Sequence, residues 1–229
     1  MSRPCDRPPG RAADELTNPW LGIPLDDYEG HMALPDVGQA RLLSDVFADA
    51  LARYAPRAVA VLGCAGGNGF ERVTNTVTER VVGVDLNPGY IEQARLRFGQ
   101  KIARLELFVG DVQTDTFGFA PVDLVYAGLL FEYVAAETAL ARIRDMLRPG
   151  GTLVTVVQLP SAVIAEITPS PYASLGALAP LMRLVPPEQL GRLAEGQGFR
   201  EAWARTVSAA DHKSFRVLAL TSEPATPGP

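Results

Sequence analysis

VLGCAGGNGFERV, residues 61–73, decides how the rest of the chain is read. Four glycines and an alanine follow the apolar, β-branched run AVAVL, residues 58–62. A loop leaving the carboxyl end of a buried strand lies where open α/β sheets take their ligands. Glycine there lets a ligand approach the backbone closely. A tight strand-to-helix turn with no ligand uses the same residues. The nicotinamide pattern G-x-G-x-x-G fails, because Gly67 and Gly69 supply the first pair but Arg72 stands at the third position. A frame begun at Gly63 meets Ala65. No Gly-Lys-Ser/Thr follows, so the loop is not a phosphate loop either.

The sequence around the loop is that of an α/β domain. RVVGVD (80–85), LELFVGD (105–111), VDLVYAG (122–128) and TLVTVVQL (152–159) read as further strands, apolar throughout rather than alternating. That pattern marks a parallel sheet covered on both faces. Helical segments separate them. PGYIEQARLRFG opens with proline and closes with glycine. AAETALARIRDMLRPGG reads as a helix ending at Pro149, and GFERVTNTV as a short helix behind the glycine loop. Upstream, residues 35–54 place Val37, Leu42, Leu43, Val46, Phe47 and Leu51 on one helical face. After residue 159 the rhythm changes to a loop plus helix over 160–186 and a helix in PPEQLGRLAEGQG. Two strands joined by the short turn AADHK follow, an antiparallel hairpin.

Two more strand tips carry acids. Asp85 ends the second strand, where a carboxylate can accept both hydroxyls of a ribose. Asp85 or Asn87 can equally cap the helix opened by Pro88. Asp111 ends the third strand, as a turn residue or as an acceptor for an adenine amino group. Three such signals at successive tips fit an adenosine laid across the sheet edge.

Together with Asp123-Leu124-Val125-Tyr126-Ala127 and Leu147-Arg148-Pro149-Gly150-Gly151, these residues make the chain resemble the class I S-adenosylmethionine-dependent methyltransferases over roughly residues 58–220. The resemblance implies a Rossmann-like sheet of seven strands, mostly parallel with the last antiparallel, and helices on both faces. It implies S-adenosyl-L-methionine as cofactor. Gly63, Cys64, Ala65 and Gly67 would lie along its methionyl part, with Asp85 on the ribose and Leu86 on the adenine. Asp111 and Val112 would read the adenine edge, and Ala127 and Gly128 would lie near the sulfonium. The family usually carries an acid where Val61 stands and a glycine where Ala65 stands. That departure motivates an alternative, a non-catalytic binding subunit or sensor on the same fold.

Many small methyltransferases resemble residues 18–32, which include Tyr28-Glu29-Gly30-His31-Met32. The resemblance implies a cover over the site, with Tyr28 bonding the cofactor and His31 orienting or deprotonating the acceptor. Simple packing of Trp20 and Tyr28 with a solvated His31 is the other reading. Glu132 and Tyr133, beyond the fourth strand, are further catalytic candidates, with a solvated or helix-capping Glu132 as the other reading. The expected organisation is a flexible tail over 1–17, a cover and helix over 18–57, the methyltransferase domain over 58–221 and a tail over 222–229. Within the domain, 160–186 is inserted over the acceptor pocket. The apolar content of that insertion, with Val163, Ile164, Ile167, Tyr172, Leu175, Leu178, Leu181 and Met182, fits a small acceptor, a core face or a homodimer contact.

Composition sets the outer bounds. The chain has 229 residues and a net charge of −5, which argues against a nucleic-acid partner. The cluster Arg142, Arg144, Arg148 at helical spacing reads as a solvated face. No apolar run approaches the ~20 residues of a membrane span. Cys5 and Cys64 are the only cysteines and His31 and His212 the only histidines. Neither a disulfide framework nor a metal cluster is expected, and a reducing cytoplasm is the expected compartment.

Overall fold

The computed structural model describes residues 18–161, 168–209 and 213–223. Residues 1–17 and 224–229, with Val163, Ile164, Ile167 and His212, lie outside the described residues, and Ser222, expected in the tail, ends β7. Seven strands form one sheet: β1 (Ala58–Leu62), β2 (Arg80–Asp85), β3 (Leu105–Val109), β4 (Val122–Gly128), β5 (Leu147–Gln158), β6 (Phe199–Ser208) and β7 (Ser214–Ser222). Their spatial order is β3-β2-β1-β4-β5-β7-β6. The pairs from β3 through β5 are parallel, and β7 runs antiparallel to both β5 and β6. This is the expected Rossmann-like sheet with its antiparallel last strand.

Apolar strands result from burial on both faces. Val59 and Val61 of β1 face α2 (Gln39–Tyr54), whose Leu43, Val46, Phe47, Ala50 and Leu51 are buried. Ala60 and Leu62 face the opposite layer, where α4 (Ala136–Met146) and α5 (Pro187–Gly196) bring Leu140, Ile143 and Leu190. The connection between β2 and β3 holds α3 (Pro88–Phe98), which buries Tyr90, Ile91 and Ala94. β1 and β4 adjoin at the sheet's centre, and the connections leaving their carboxyl ends diverge there, so a crevice opens at this switch point.

Three local expectations are revised. No α-helix follows the glycine loop, only a 3₁₀ turn at Phe70–Arg72. The β-branched stretch Val73-Thr74-Asn75-Thr76-Val77-Thr78 lowers helix propensity there. β5 begins at Leu147, not at residue 152. Leu147 pairs with Val122, and a register shift separates that pair from Leu124–Thr152. Pro149-Gly150-Gly151 therefore sits in an irregular strand start, not at the end of α4. Third, the N-terminal cover contains a helix, α1 (Leu25–Ala33), preceded by a 3₁₀ turn at Pro19–Gly22 that Asn18 caps.

Candidate active site

At the crevice the chain makes a tight turn. The N–H groups of Gly63 and Cys64 both donate to Val84 O, and Gly67 N donates to Cys64 O. Gly63 takes φ +67°, which glycine adopts without strain. The loop thus spends these amides internally, which accords with the absence of a phosphate-binding pattern.

Asp85 and Asn87 divide the two roles their positions allowed. Asn87 caps α3, its Oδ1 accepting from Gly89 N at 2.9 Å, while its Nδ2 donates to Trp20 O at 3.0 Å. Asp85 is left for the crevice. Its Oδ2 accepts from Ala65 N at 2.8 Å and its Oδ1 from Asn87 N at 2.9 Å. Burial pushes its carboxyl up to about 6, against the pull of those backbone bonds.

A cavity of about 750 Å³, measured to its open mouth, lies across the strand tips. The β1 loop contributes Gly63 and Ala65, and β2 contributes Val84, Asp85 and Leu86. Gly110, Asp111 and Val112 follow β3, and Gly128, Leu129 and Leu130 lie at the end of β4. Asp111 is held as a turn residue as well, its Oδ1 accepting from Gln113 N at 2.8 Å. Three sequence-predicted residues stand outside this lining. Cys64 is buried behind the loop, its thiol pushed up by desolvation; Ala127 is fully buried within β4; Gly67 borders a different depression beside Arg97 and Phe98.

A second chamber of about 640 Å³ adjoins the first. Trp20, Tyr28, Leu129 and Tyr133 line both and form a shared partition. The Trp20 ring meets Tyr133 edge-on at 5.0 Å and Tyr28 at 5.7 Å. Leu129 holds φ +54°, a conformation costing a non-glycine residue about 1–2 kcal/mol. Ala65, φ +46°, is the other strained residue at the rim. Backbone strain that survives at a cavity wall is the signature of a functional site.

All three catalytic candidates, His31, Glu132 and Tyr133, line this second chamber. α1 places Tyr28, His31 and Met32 on one face by its 3.6-residue period. Glu132 is 2% exposed; its Oε1 accepts from Gln158 N at 2.7 Å, and its Oε2 has no hydrogen-bond partner among the described residues. Desolvation pushes this carboxyl up to about 7. His31 Nδ1 is likewise buried without a partner, and burial, then the Lys213 ammonium, pulls the imidazole down. Gln39, Gln158, Thr168 and Lys213 complete the polar wall, with Lys213 Nζ donating to Thr168 Oγ1 at 2.9 Å. Leu175, Leu178 and Met182 supply the apolar side. No group of three or more potential metal ligands occurs among the described residues.

Sequence reasoning missed Trp20, Tyr90, Leu129, Lys213 and the two glutamines. Tyr90 had a legible signal, since the first turn of a helix opened after an acidic strand tip faces the crevice. Its hydroxyl is buried on the first cavity with no partner.

The sheet order 3-2-1-4-5-7-6, with a crevice at its switch point and acids at two strand tips, is the arrangement that the resemblance to class I methyltransferases implied. Residues 59–151 match the family model described as methyltransferase domain. The O-methyltransferase cnsE of Penicillium expansum is 30% identical over 135 residues, 53% of this chain and 49% of that protein. The chain spans half or less of the length of the curated relatives it matches. Among solved structures, the N-methyltransferase NodS of Bradyrhizobium japonicum WM9, in complex with S-adenosyl-L-homocysteine, superposes with a TM-score of 0.63. It has 16% identity, over 85% of this chain and 95% of that one. The cyclase SpnF also superposes at 0.63, with 14% identity over 82% of each chain. These two share the fold. No described helix is long and apolar enough to cross a membrane.

Proposed function

We propose that the protein moves a methyl group from S-adenosyl-L-methionine to a small-molecule oxygen in the second chamber. The observation that carries this reading is the pair of adjoining compartments, one rimmed by strand tips and one holding buried, unpartnered polar atoms. The first compartment fits the cofactor. Asp85 is a buried carboxyl on its wall, able to accept ribose hydroxyls, and the orphaned Tyr90 hydroxyl awaits a polar group from an occupant. The bound cofactor supplies an activated methyl on a cationic sulfur.

The chain's own work is alignment and exclusion of water. Asp85 fixes the nucleoside, and Leu86 and Val112 pack beside it. Asp111 lies at the adenine edge. Gly128 and Leu129 end β4 where the compartments meet, so they bring the reacting atoms together. Tyr28 and Trp20 close the crevice from the N-terminal side. The fungal relative's name supports oxygen as the acceptor atom. Val61 and Ala65 favour the rival reading of a binding subunit, which predicts cofactor binding without turnover.

Titration calorimetry with S-adenosylhomocysteine tests the first compartment. Binding is expected, and Asp85→Ala weakens it by about 10- to 100-fold, the loss of charge-assisted hydrogen bonds. Because the ionised carboxyl is the better acceptor, affinity is also expected to be lower at pH 5 than at pH 8. No heat at any pH refutes the reading, and binding without transfer to any acceptor favours the rival.

A further inference from the structure

The second chamber carries information about its occupant. Two residues of its lining, Glu132 and His31, carry buried polar atoms, Oε2 and Nδ1, that have no partner among the described residues. Leaving such atoms unpaired costs stability, so an occupant that brings hydrogen-bond donors relieves that cost. A carboxylate acceptor brings only acceptors and would set its charge against Glu132. An ammonium would have to be desolvated in a chamber that also holds Lys213, 4% exposed. A hydroxyl enters uncharged and donates. The remaining wall is aromatic and aliphatic, with Trp20, Tyr133, Leu175, Leu178 and Met182, which suits an apolar body.

The acidity of the hydroxyl follows from the available base. An aryl hydroxyl has a pKa of about 10, as tyrosine does, whereas an alkyl hydroxyl is far less acidic. Burial raises the basicity of the Glu132 carboxylate toward the first class and leaves it far below the second. An aryl or enolic hydroxyl therefore gives up its proton to this base more readily than an alkyl one.

We propose, on the methyl-transfer reading above, that the second chamber takes an aryl or enolic hydroxyl on a largely apolar body, and that Glu132 Oε2 receives the hydroxyl proton. The acceptor O–H bond breaks with its proton passing to the Glu132 carboxylate. The acceptor oxygen forms a bond to the methyl carbon as the carbon–sulfur bond of the S-adenosylmethionine donor breaks, its electron pair staying on sulfur. The proton leaves Glu132 for solvent when product departs. The amide of Gln158 holds the other carboxyl oxygen throughout, so Oε2 keeps its aim.

The test uses the full chain saturated with S-adenosylhomocysteine. 2-Naphthol and 4-hydroxycoumarin, the aryl and enol probes, are titrated beside 2-naphthylmethylamine and 2-naphthoate by calorimetry. At least one hydroxyl probe is expected to bind 10-fold or more tighter than the amine and the carboxylate. With S-adenosylmethionine, mass spectrometry is expected to find its methyl ether. Glu132→Gln, an isosteric change that puts an N–H₂ where Oε2 accepts, is expected to hold that probe about 10-fold more weakly and, at saturation, to transfer methyl about 10²- to 10⁴-fold more slowly, the usual worth of a general base. The lost rate is expected to return as pH approaches the probe's own pKa, a rescue that a merely structural role does not give. The proposal is overturned if the amine or carboxylate binds best, if neither hydroxyl binds the nucleoside-filled protein, or if Glu132→Gln keeps the parent rate and pH profile. Failure of S-adenosylhomocysteine itself to bind overturns the methyl-transfer reading instead.

Discussion

Glu132 is where stability and chemistry oppose each other. A carboxyl whose pKa climbs from 4.5 to about 7 on folding is more protonated in the native state than in the unfolded chain. The unfolded state then binds fewer protons across that window, so stability falls as pH rises from 4.5 to about 7. The shift corresponds to about 3 kcal/mol in all. Glu132→Gln cannot ionise, and the slope it contributes should vanish. Urea denaturation is expected to find the variant more stable than the parent by up to about 3 kcal/mol at pH 8. Near pH 4.5 the two should be close, and equal differences at both values would mean the carboxyl is not charged at a cost. Asp85, raised to about 6, adds a slope of the same sign that the variant keeps.

The elements that meet at the crevice are held by polar stitches as well as by a small apolar cluster of Leu25, Tyr28, Ala65 and Tyr90. Arg97 of α3 pairs with Glu29 of α1, Nη1 to Oε1 at 2.5 Å and Nη2 to Oε2 at 2.9 Å, directly over Gly66. A Cβ at Gly66 would stand 2.5 Å from both Arg97 Nη1 and Glu29 Oε1 and 2.9 Å from Leu25 Cδ2. All three are side-chain ends that can swing away. With both partners more than a third exposed, the pair itself contributes about 0–1 kcal/mol. Gly66→Ala is therefore expected to change global stability by less than about 1 kcal/mol while loosening α1. Hydrogen exchange should quicken across residues 25–33 and stay unchanged in β1 and β4, and uniform exchange throughout would remove the stitch from the account. Sequence gave little hint of α1. LDDYEGHMA mixes acids, a glycine and a histidine, and only Leu25 and Met32 are buried. Its helix is stabilised by what it covers. The helix expected after the glycine loop failed for the opposite reason, since β-branched residues opposed it and nothing packed against it strongly enough to override them.

At the scale of the whole molecule, the sheet was legible because each central strand is buried on both faces and announces itself as an apolar run. The first compartment was legible for a related reason. Its residues lie at strand tips, so an order of strands is already an order of contacts. The second compartment was legible only in part, through His31, Glu132 and Tyr133, and the rest of its polar wall was not. Gln39 opens α2, Glu132 follows β4, Gln158 ends β5 and Lys213 precedes β7, and only the closed sheet brings them together. The arginine cluster was also misjudged in part. Arg144 reaches across to the carbonyls of Gly198 and Glu223, fastening α4 to the ends of β6 and β7, while Arg148 pairs with Asp123.

Because Trp20, Tyr28, Leu129 and Tyr133 belong to both compartments, a guest that shifts this screen from one side alters the wall that the other guest meets. Thermodynamic reciprocity then applies: if S-adenosylhomocysteine tightens the hold on a hydroxyl guest by some factor, the guest must tighten the hold on the nucleoside by that same factor, about 5- to 150-fold where sites communicate. Calorimetry of each with and without the other measures it, and two independent affinities would make the screen a passive divider. Communication of this kind would make the protein a coincidence detector, slow to grip either molecule alone.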